Sequence, residues 1–180
     1  MSYIPSPDEA REIVRRYNKD EFHLSHSETV GKVMRYMAGK YDPGREDFWE
    51  AVGILHDIDF ELYPEQHCIK AREILKELDM DPALIHAVIS HGYGIVIDVE
   101  PKHYMEKVLF ATDELTGLIG ATALMRPTGL SDLETKSVMK KYKSKGFAAG
   151  CSREVIAKGA EMMGIDVPEL VTLTLEAMKA

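Results

Sequence analysis

The sequence predicts an all-α protein of about nine helices. Apolar residues recur at three- and four-residue spacing in segment after segment, which is the periodicity of an amphipathic helix. Helix-start signals precede several of these segments, including Ser6 before Pro7 and Asp81 before Pro82. No stretch shows an alternating pattern that would make a convincing sheet.

The predicted helices follow one another with short breaks. Proline and glycine at 42–44, and glycines at 146–150, mark two of these breaks. The segment 131–134 has the spacing of a capping box, and Asp166 with Glu169 forms a similar signal for the last helix. The helices are expected at about 7–17, 25–40, 46–56, 64–78, 82–91, 102–124, 131–143, 152–163 and 166–180.

The segment 92–101 is the one irregular stretch. Its apolar part, 95–99, is compatible with a short strand, with a loop that closes over a site, or with an ordinary connector. These alternatives stay open at the level of the sequence.

Composition limits the possible functions. The 180 residues, of which 45% are hydrophobic and 29% charged, suit a single globular domain over 1–180. A net charge of −8 argues against broad nucleic-acid binding through the phosphate backbone. Two cysteines are too few for a disulfide framework, and no signal peptide or apolar membrane span is recognisable. A cytoplasmic protein is expected.

A set of histidines and aspartates predicts a metal site. His56 and Asp57 stand side by side at the end of an apolar helix and offer nitrogen and oxygen ligands. One such pair is a weak signal, but the chain supplies four further candidates. The full set is His26, His56, Asp57, His67, His91 and Asp113.

The order and spacing of this set resemble the HD-domain superfamily of metal-dependent phosphohydrolases. The flanking residues agree, notably 55–58, which read Leu-His-Asp-Ile, and the alanine two residues before Asp113. His67 and His91 match the two histidines that dinuclear members add. The resemblance covers about 22–125 and implies an HD-type helical bundle. The helices of 131–180 are expected to pack on it as part of the same domain, because this segment is short and no linker precedes it.

Six ligands exceed what one ion takes from a protein while keeping an open position, so they suit two ions. Asp57 would bridge them, with His26, His56 and Asp113 on one side and His67 and His91 on the other. The resemblance implies one or two divalent transition-metal ions (Fe, Mn, Zn, Co or Ni) and hydrolysis of phosphate esters by metal-activated hydroxide. His56 and Asp57 would be the catalytic residues, and a homodimer is compatible with the family.

One residue departs from the family pattern. Many members read His-Asp-Ile-Gly, whereas Asp59 stands here at the glycine position. Its carboxylate is expected either to point to solvent or to support a metal ligand from outside the coordination sphere. For Cys68, next to His67, a metal-thiolate role is the alternative, but the residue is interpreted as a small buried hydrophobic one, because hard carboxylates surround it.

The predicted substrate is a small phosphate ester, a nucleotide or dinucleotide. Its phosphate would need cations, and the candidates are Lys32, Arg35 and Lys140. Two alternatives remain: an HD-type di-iron oxygenase, which would need iron and O₂, and an HD protein that binds a nucleotide without turnover.

Overall fold

The structure is a computed structural model that describes residues 2–180. Within that range it contains nine α-helices and no strand, which confirms the predicted all-α fold. The helices are α1 (Pro7–Tyr17), α2 (Glu21–Tyr41), α3 (Glu46–Leu55), α4 (Ile69–Glu77), α5 (Pro82–Ile89), α6 (Tyr104–Leu124), α7 (Thr135–Tyr142), α8 (Arg153–Met163) and α9 (Val167–Lys179). Two short 3-10 turns lie at Pro64–Gln66 and Ser90–Gly92.

Two compact units divide the chain, Met1–Leu109 and Phe110–Ala180, and the division falls within α6. The first unit contains α1 to α5 and five of the six predicted metal ligands, all except Asp113. The prediction of a single domain over 1–180 stays a prediction.

Helix α3 is the buried centre of the first unit. Every residue from Phe48 to Leu55 is buried, and the helix packs against α1, α2 and α5. A helix that is apolar on all sides is usually buried by its neighbours. A charged residue on such a helix has to be paired, because an unpaired buried charge is costly. Glu50 meets this condition, because it forms ion pairs with Arg11 and Arg35. The C-terminal end of α3 thus carries His56 and Asp57 into the interior.

Two glycines allow α2 and α3 to approach closely. A Cβ atom built on Gly53 would lie 2.9 Å from both the Cα of Gly31 and the carbonyl oxygen of Val30. Both obstacles are backbone atoms, so a side chain at Gly53 could be accepted only if the two helices moved apart. The glycines therefore set the distance between the helices that carry His26 and His56.

We expect Gly53→Ala to lower the free energy of unfolding by about 1–3 kcal/mol, the usual cost of overpacking, and to weaken metal binding. Urea denaturation and a metal titration measure the two effects. Gly39→Ala is the matched control, because it lies on α2 with no atom within 4 Å of an added Cβ. That control should be neutral or stabilising. Equal stability of the two variants would contradict the close helix contact.

The predicted start of α1 is confirmed. Ser6 accepts a hydrogen bond from the backbone N–H of Glu9, and the Glu9 side chain accepts one from the N–H of Ser6. Asp166 likewise accepts from the N–H of Glu169 at the start of α9. Local sequence is sufficient here, because each cap is completed within three residues.

Three predicted boundaries are wrong. Helix α2 starts one turn early, at Glu21, because the Asp20 side chain caps it. The predicted helix over 64–78 is interrupted at His67 and Cys68, where Cys68 has φ +71°. The capping box expected at 131–134 is absent: Glu134 is the N-cap of α7 and its side chain makes no cap hydrogen bond.

Glu61 stabilises the connection between α1 and α2 through hydrogen bonds, a role that sequence periodicity does not indicate. Its carboxylate accepts hydrogen bonds from the backbone N–H groups of Lys19 and Asp20, at 2.9 and 3.0 Å, and lies 2.8 Å from Nδ1 of His23. The interaction with His23, followed by those with the two backbone groups, lowers the pKa of Glu61 from 4.5 to about 2.

A depressed pKa makes the contribution of Glu61 to stability dependent on pH. The contribution is complete above pH 4.5, the ordinary pKa, and is lost as the pH falls toward about 2. Glu61→Gln should therefore be less stable than the wild type at neutral pH, and the difference should shrink between pH 4.5 and 2. Chemical denaturation of both proteins across this range tests this; a difference independent of pH would contradict it.

Hydrogen bonds from Arg153 to backbone carbonyl oxygens stabilise the second unit. The guanidinium group of Arg153, at the start of α8, donates hydrogen bonds to the carbonyl oxygen of Lys141 in the last turn of α7 and to those of Phe147 and Ala148 in the segment that follows. Helix α9 packs against α7 and α8. Across residues 2–180, no helix combines the length and the apolar character needed to cross a bilayer.

Candidate metal centre

Four histidines of the first unit come together with Asp57. His26 lies in the second turn of α2, and His56 and Asp57 directly follow α3. His67 and His91 lie at the two short turns, the first before α4 and the second after α5. Turns release both residues from helical spacing, so that both side chains point to the same place as His56.

Asp57 stands between two pairs of histidines. Its Oδ2 atom is 3.2 Å from Nε2 of His56 and 3.4 Å from Nε2 of His26. Its Oδ1 atom is 3.2 Å from Nε2 of His67 and 3.3 Å from Nε2 of His91. Each carboxylate oxygen therefore faces its own pair of imidazoles, which is the arrangement of a bridging ligand.

Within each pair, the two Nε2 atoms face each other at short range. The separation is 3.2 Å between His26 and His56, and 3.0 Å between His67 and His91. Two nitrogens that bind one ion at about 2.1 Å and at a right angle lie about 3.0 Å apart. The spacing thus fits ligands that share an ion.

Hydrogen bonds at the opposite ring nitrogens decide which atoms face inward. Nδ1 of His56 donates to the carbonyl oxygen of Gly53 at 2.6 Å, and Nδ1 of His91 donates to that of Val88 at 2.5 Å. Nδ1 of His67 lies 2.7 Å from the Asp59 carboxylate and donates to it. In the neutral imidazoles the Nε2 lone pairs are then directed into the centre, which is how metal-binding histidines are oriented.

The electrostatics of the centre favour positive charge. Burial alone would raise the pKa of Asp57, but His56, with hydrogen bonds from His26 and His67, lowers it well below the ordinary value. Burial alone would lower the pKa of His67, but Asp57 and Asp59 raise it to about 11. The carboxylates therefore stabilise positive charge on the histidines, and the histidines stabilise negative charge on Asp57. A divalent ion bound to neutral imidazoles would supply the positive charge in place of the ring protons.

A family model for the HD domain matches residues 24–118, more than half of the 180-residue chain. The chain belongs to the HD domain family. Membership places it in a superfamily of metal-dependent hydrolases, and the matched segment includes all six predicted ligands.

A curated relative is a tRNA (cytidine(56)-2'-O)-methyltransferase from Picrophilus torridus, 29% identical over 160 residues. The alignment covers 82% of this chain but 43% of the relative, so the chain spans less than half of that protein's length. No solved structure matches the chain.

Asp59 lies next to the group formed by Asp57 and the four histidines, and it is fully buried. Besides His67, its carboxylate accepts hydrogen bonds from the backbone N–H groups of Cys68 at 2.6 Å and Ala71 at 2.9 Å. It thus orients one histidine of the centre and also caps the first turn of α4. Of the two alternatives left open by the sequence, solvent exposure is wrong. The contact with His67 agrees with support of a neighbouring metal ligand, which stays a prediction.

Cys68 contributes a further donor atom that sequence reasoning assigned to the core. It is fully buried, as expected, but its Sγ atom is 3.9 Å from Nε2 of His91. The donor atoms of His67, Cys68 and His91 lie within 4.8 Å of one another. Burial alone would raise the pKa of Cys68, but His91 and His67 lower it to about 7.

The remaining predicted residues are placed as follows. Asp113 lies on α6 within the second unit, and its role as a ligand stays a prediction. Arg35 forms ion pairs with Asp47 and Glu50. Lys32 is exposed on α2, and Lys140 is exposed on α7 in the second unit. Contact of these three cations with a substrate stays a prediction.

Proposed function

We propose that the protein is a metal-dependent phosphohydrolase that acts on a small phosphate ester, a nucleotide or dinucleotide. The observation that carries this proposal is Asp57, whose two oxygens each face a pair of histidine Nε2 atoms at 3.2–3.4 Å. This arrangement suits two ions that share one carboxylate. Ions bound there would supply an activated water and neutralise charge on the phosphate.

The protein groups have separate tasks in this function. Asp57 connects the two halves of the centre, and the Nδ1 hydrogen bonds of His56, His67 and His91 keep their rings in one orientation. Preorganised ligands of this kind need no rearrangement when charge develops on the substrate. The partly exposed Asp57 and His26 side chains, 21% accessible each, leave the centre open to a substrate.

Aromatic rings beside the centre support a nucleotide as the substrate. The Phe60 ring lies 5.2 Å from that of His67, centroid to centroid, and Phe60 is 41% exposed. The Phe60 ring also contacts His23, at 5.8 Å. An exposed ring next to a phosphate site can stack on a base, which contributes binding energy without requiring a particular sequence.

The curated relative does not extend this proposal to tRNA. Its name assigns cytidine 2'-O-methylation to a protein of which the shared part is 43%. The donor atoms of Asp57 and the four histidines suit metal-assisted hydrolysis, so methyl transfer is not proposed for this chain.

Release of phosphate or nucleotide from a panel of substrates tests the function. The panel contains nucleoside mono-, di- and triphosphates, dinucleoside polyphosphates and cyclic dinucleotides, each incubated without oxygen and with Mn²⁺, Co²⁺ or Fe²⁺. Metal-dependent turnover under these conditions is the expected result. No turnover on any substrate, together with bound iron and oxygen consumption, would favour the oxygenase alternative instead.

A further inference from the structure

We propose that the Cys68 thiolate is a third ligand, beside Nε2 of His67 and of His91, for the ion on their side of Asp57. The inference rests on the proposed function, because it assumes that this half of the centre holds an ion. With bonds of about 2.3 Å to sulfur and 2.0–2.1 Å to nitrogen, a sulfur and a nitrogen on one Zn²⁺ lie about 3.1 Å apart at a right angle, the angle that fits the two histidines, and about 3.6 Å apart at the tetrahedral angle. The observed distance from Sγ to Nε2 of His91, 3.9 Å, requires only a small adjustment.

The backbone of Cys68 supports this assignment. Its φ of +71° is uncommon for a residue with a side chain, and such a conformation persists only where the surroundings enforce it. Here Asp59 does so, because its carboxylate accepts from the N–H of Cys68 while it also holds His67. One buried carboxylate thus positions both a histidine nitrogen and the adjacent sulfur.

The residue after His91 leaves space for the sulfur. A Cβ atom built on Gly92 would lie 2.7 Å from Sγ of Cys68 and 2.5 Å from Cγ2 of Val96. Any side chain at Gly92 would therefore displace the thiol from its place beside His91. The absence of a side chain at Gly92 is what allows the sulfur of Cys68 to lie beside His91.

A thiolate would make the two halves of the centre chemically different. Asp57 directs one oxygen to each half. The half with His67 and His91 would add the sulfur of Cys68, whereas the half with His26 and His56 has no thiol in this group. Sulfur ligands favour softer ions such as Zn²⁺ over Mn²⁺ or Mg²⁺. The two halves are therefore expected to differ in metal preference.

A cobalt titration of the metal-free, reduced full-length protein tests the assignment. Under anaerobic conditions, the wild type should develop the near-ultraviolet charge-transfer absorption of a cobalt–thiolate bond. Cys68→Ser should lose this absorption while still binding cobalt through the histidines. Cys151→Ser, which removes the other cysteine, is the matched control and should retain it. Circular dichroism establishes that each variant is folded.

X-ray absorption of the zinc-loaded wild type gives a second measurement that needs no variant. A sulfur neighbour at about 2.3 Å from zinc is expected, and its loss in Cys68→Ser would support the assignment further. Metal binding without a sulfur neighbour would overturn the role of Cys68 and leave the proposed hydrolase intact. Absorption that depends on Cys151 would overturn it as well, and failure to bind any metal would overturn both proposals.

Discussion

Asp57→Asn is expected to lower the rate of metal-dependent hydrolysis about 10³-fold and to reduce the amount of bound metal. The substitution keeps the shape of the side chain but removes the charge, and the amide nitrogen replaces one of the two oxygens that face the histidine pairs. Metal ions stabilise the charged transition state by several kcal/mol. Loss of about 4 kcal/mol of this transition-state stabilisation corresponds to a rate about 10³-fold lower. Turnover and metal content per protein measure the two effects.

Asp8→Asn is a suitable control for Asp57→Asn, because it removes a carboxylate that is 93% exposed at the start of α1. That variant should keep the metal content and turnover of the wild type. If Asp57→Asn also kept both, the metal site would lie elsewhere in the chain.

Asp59→Gly is expected to give the largest loss of stability and to weaken metal binding at the same time. The change installs the residue that many family members have, but here it would leave the buried N–H groups of Cys68 and Ala71 without their acceptor. Removing a buried, hydrogen-bonded charge costs about 3–5 kcal/mol. His67 would also lose the partner of its Nδ1, for which a 10–100-fold loss of metal affinity, roughly, is expected.

Urea denaturation and a metal titration measure these two effects of Asp59→Gly. Asp98→Gly makes the same change at an exposed position in the irregular segment, and should stay within about 0.5 kcal/mol of the wild type. Asp59→Asn should lie between the wild type and Asp59→Gly, because its amide oxygen still accepts one hydrogen bond. Unchanged stability in all three variants would show that Asp59 is not the acceptor described above.

The sequence by itself determined the class of fold, most helices and the family. Helical periodicity and caps such as those at Ser6 and Asp166 are local, since they involve residues three or four positions apart. The order of His26, His56-Asp57, His67 and His91 was likewise readable, because the chemistry of metal binding restricts the residue types. The family match over 24–118 confirms the recognition.

Only the tertiary structure decided how the residues around the ligands are used. Asp59 is buried because backbone N–H groups from Cys68 and Ala71 compensate its charge, and sequence gives no account of such partners. The break at Cys68 depends on the same carboxylate, so the periodic pattern over 64–78 predicted an unbroken helix. The direction of a polar side chain at a turn depends on its hydrogen-bonding partners, and those partners come from other parts of the fold.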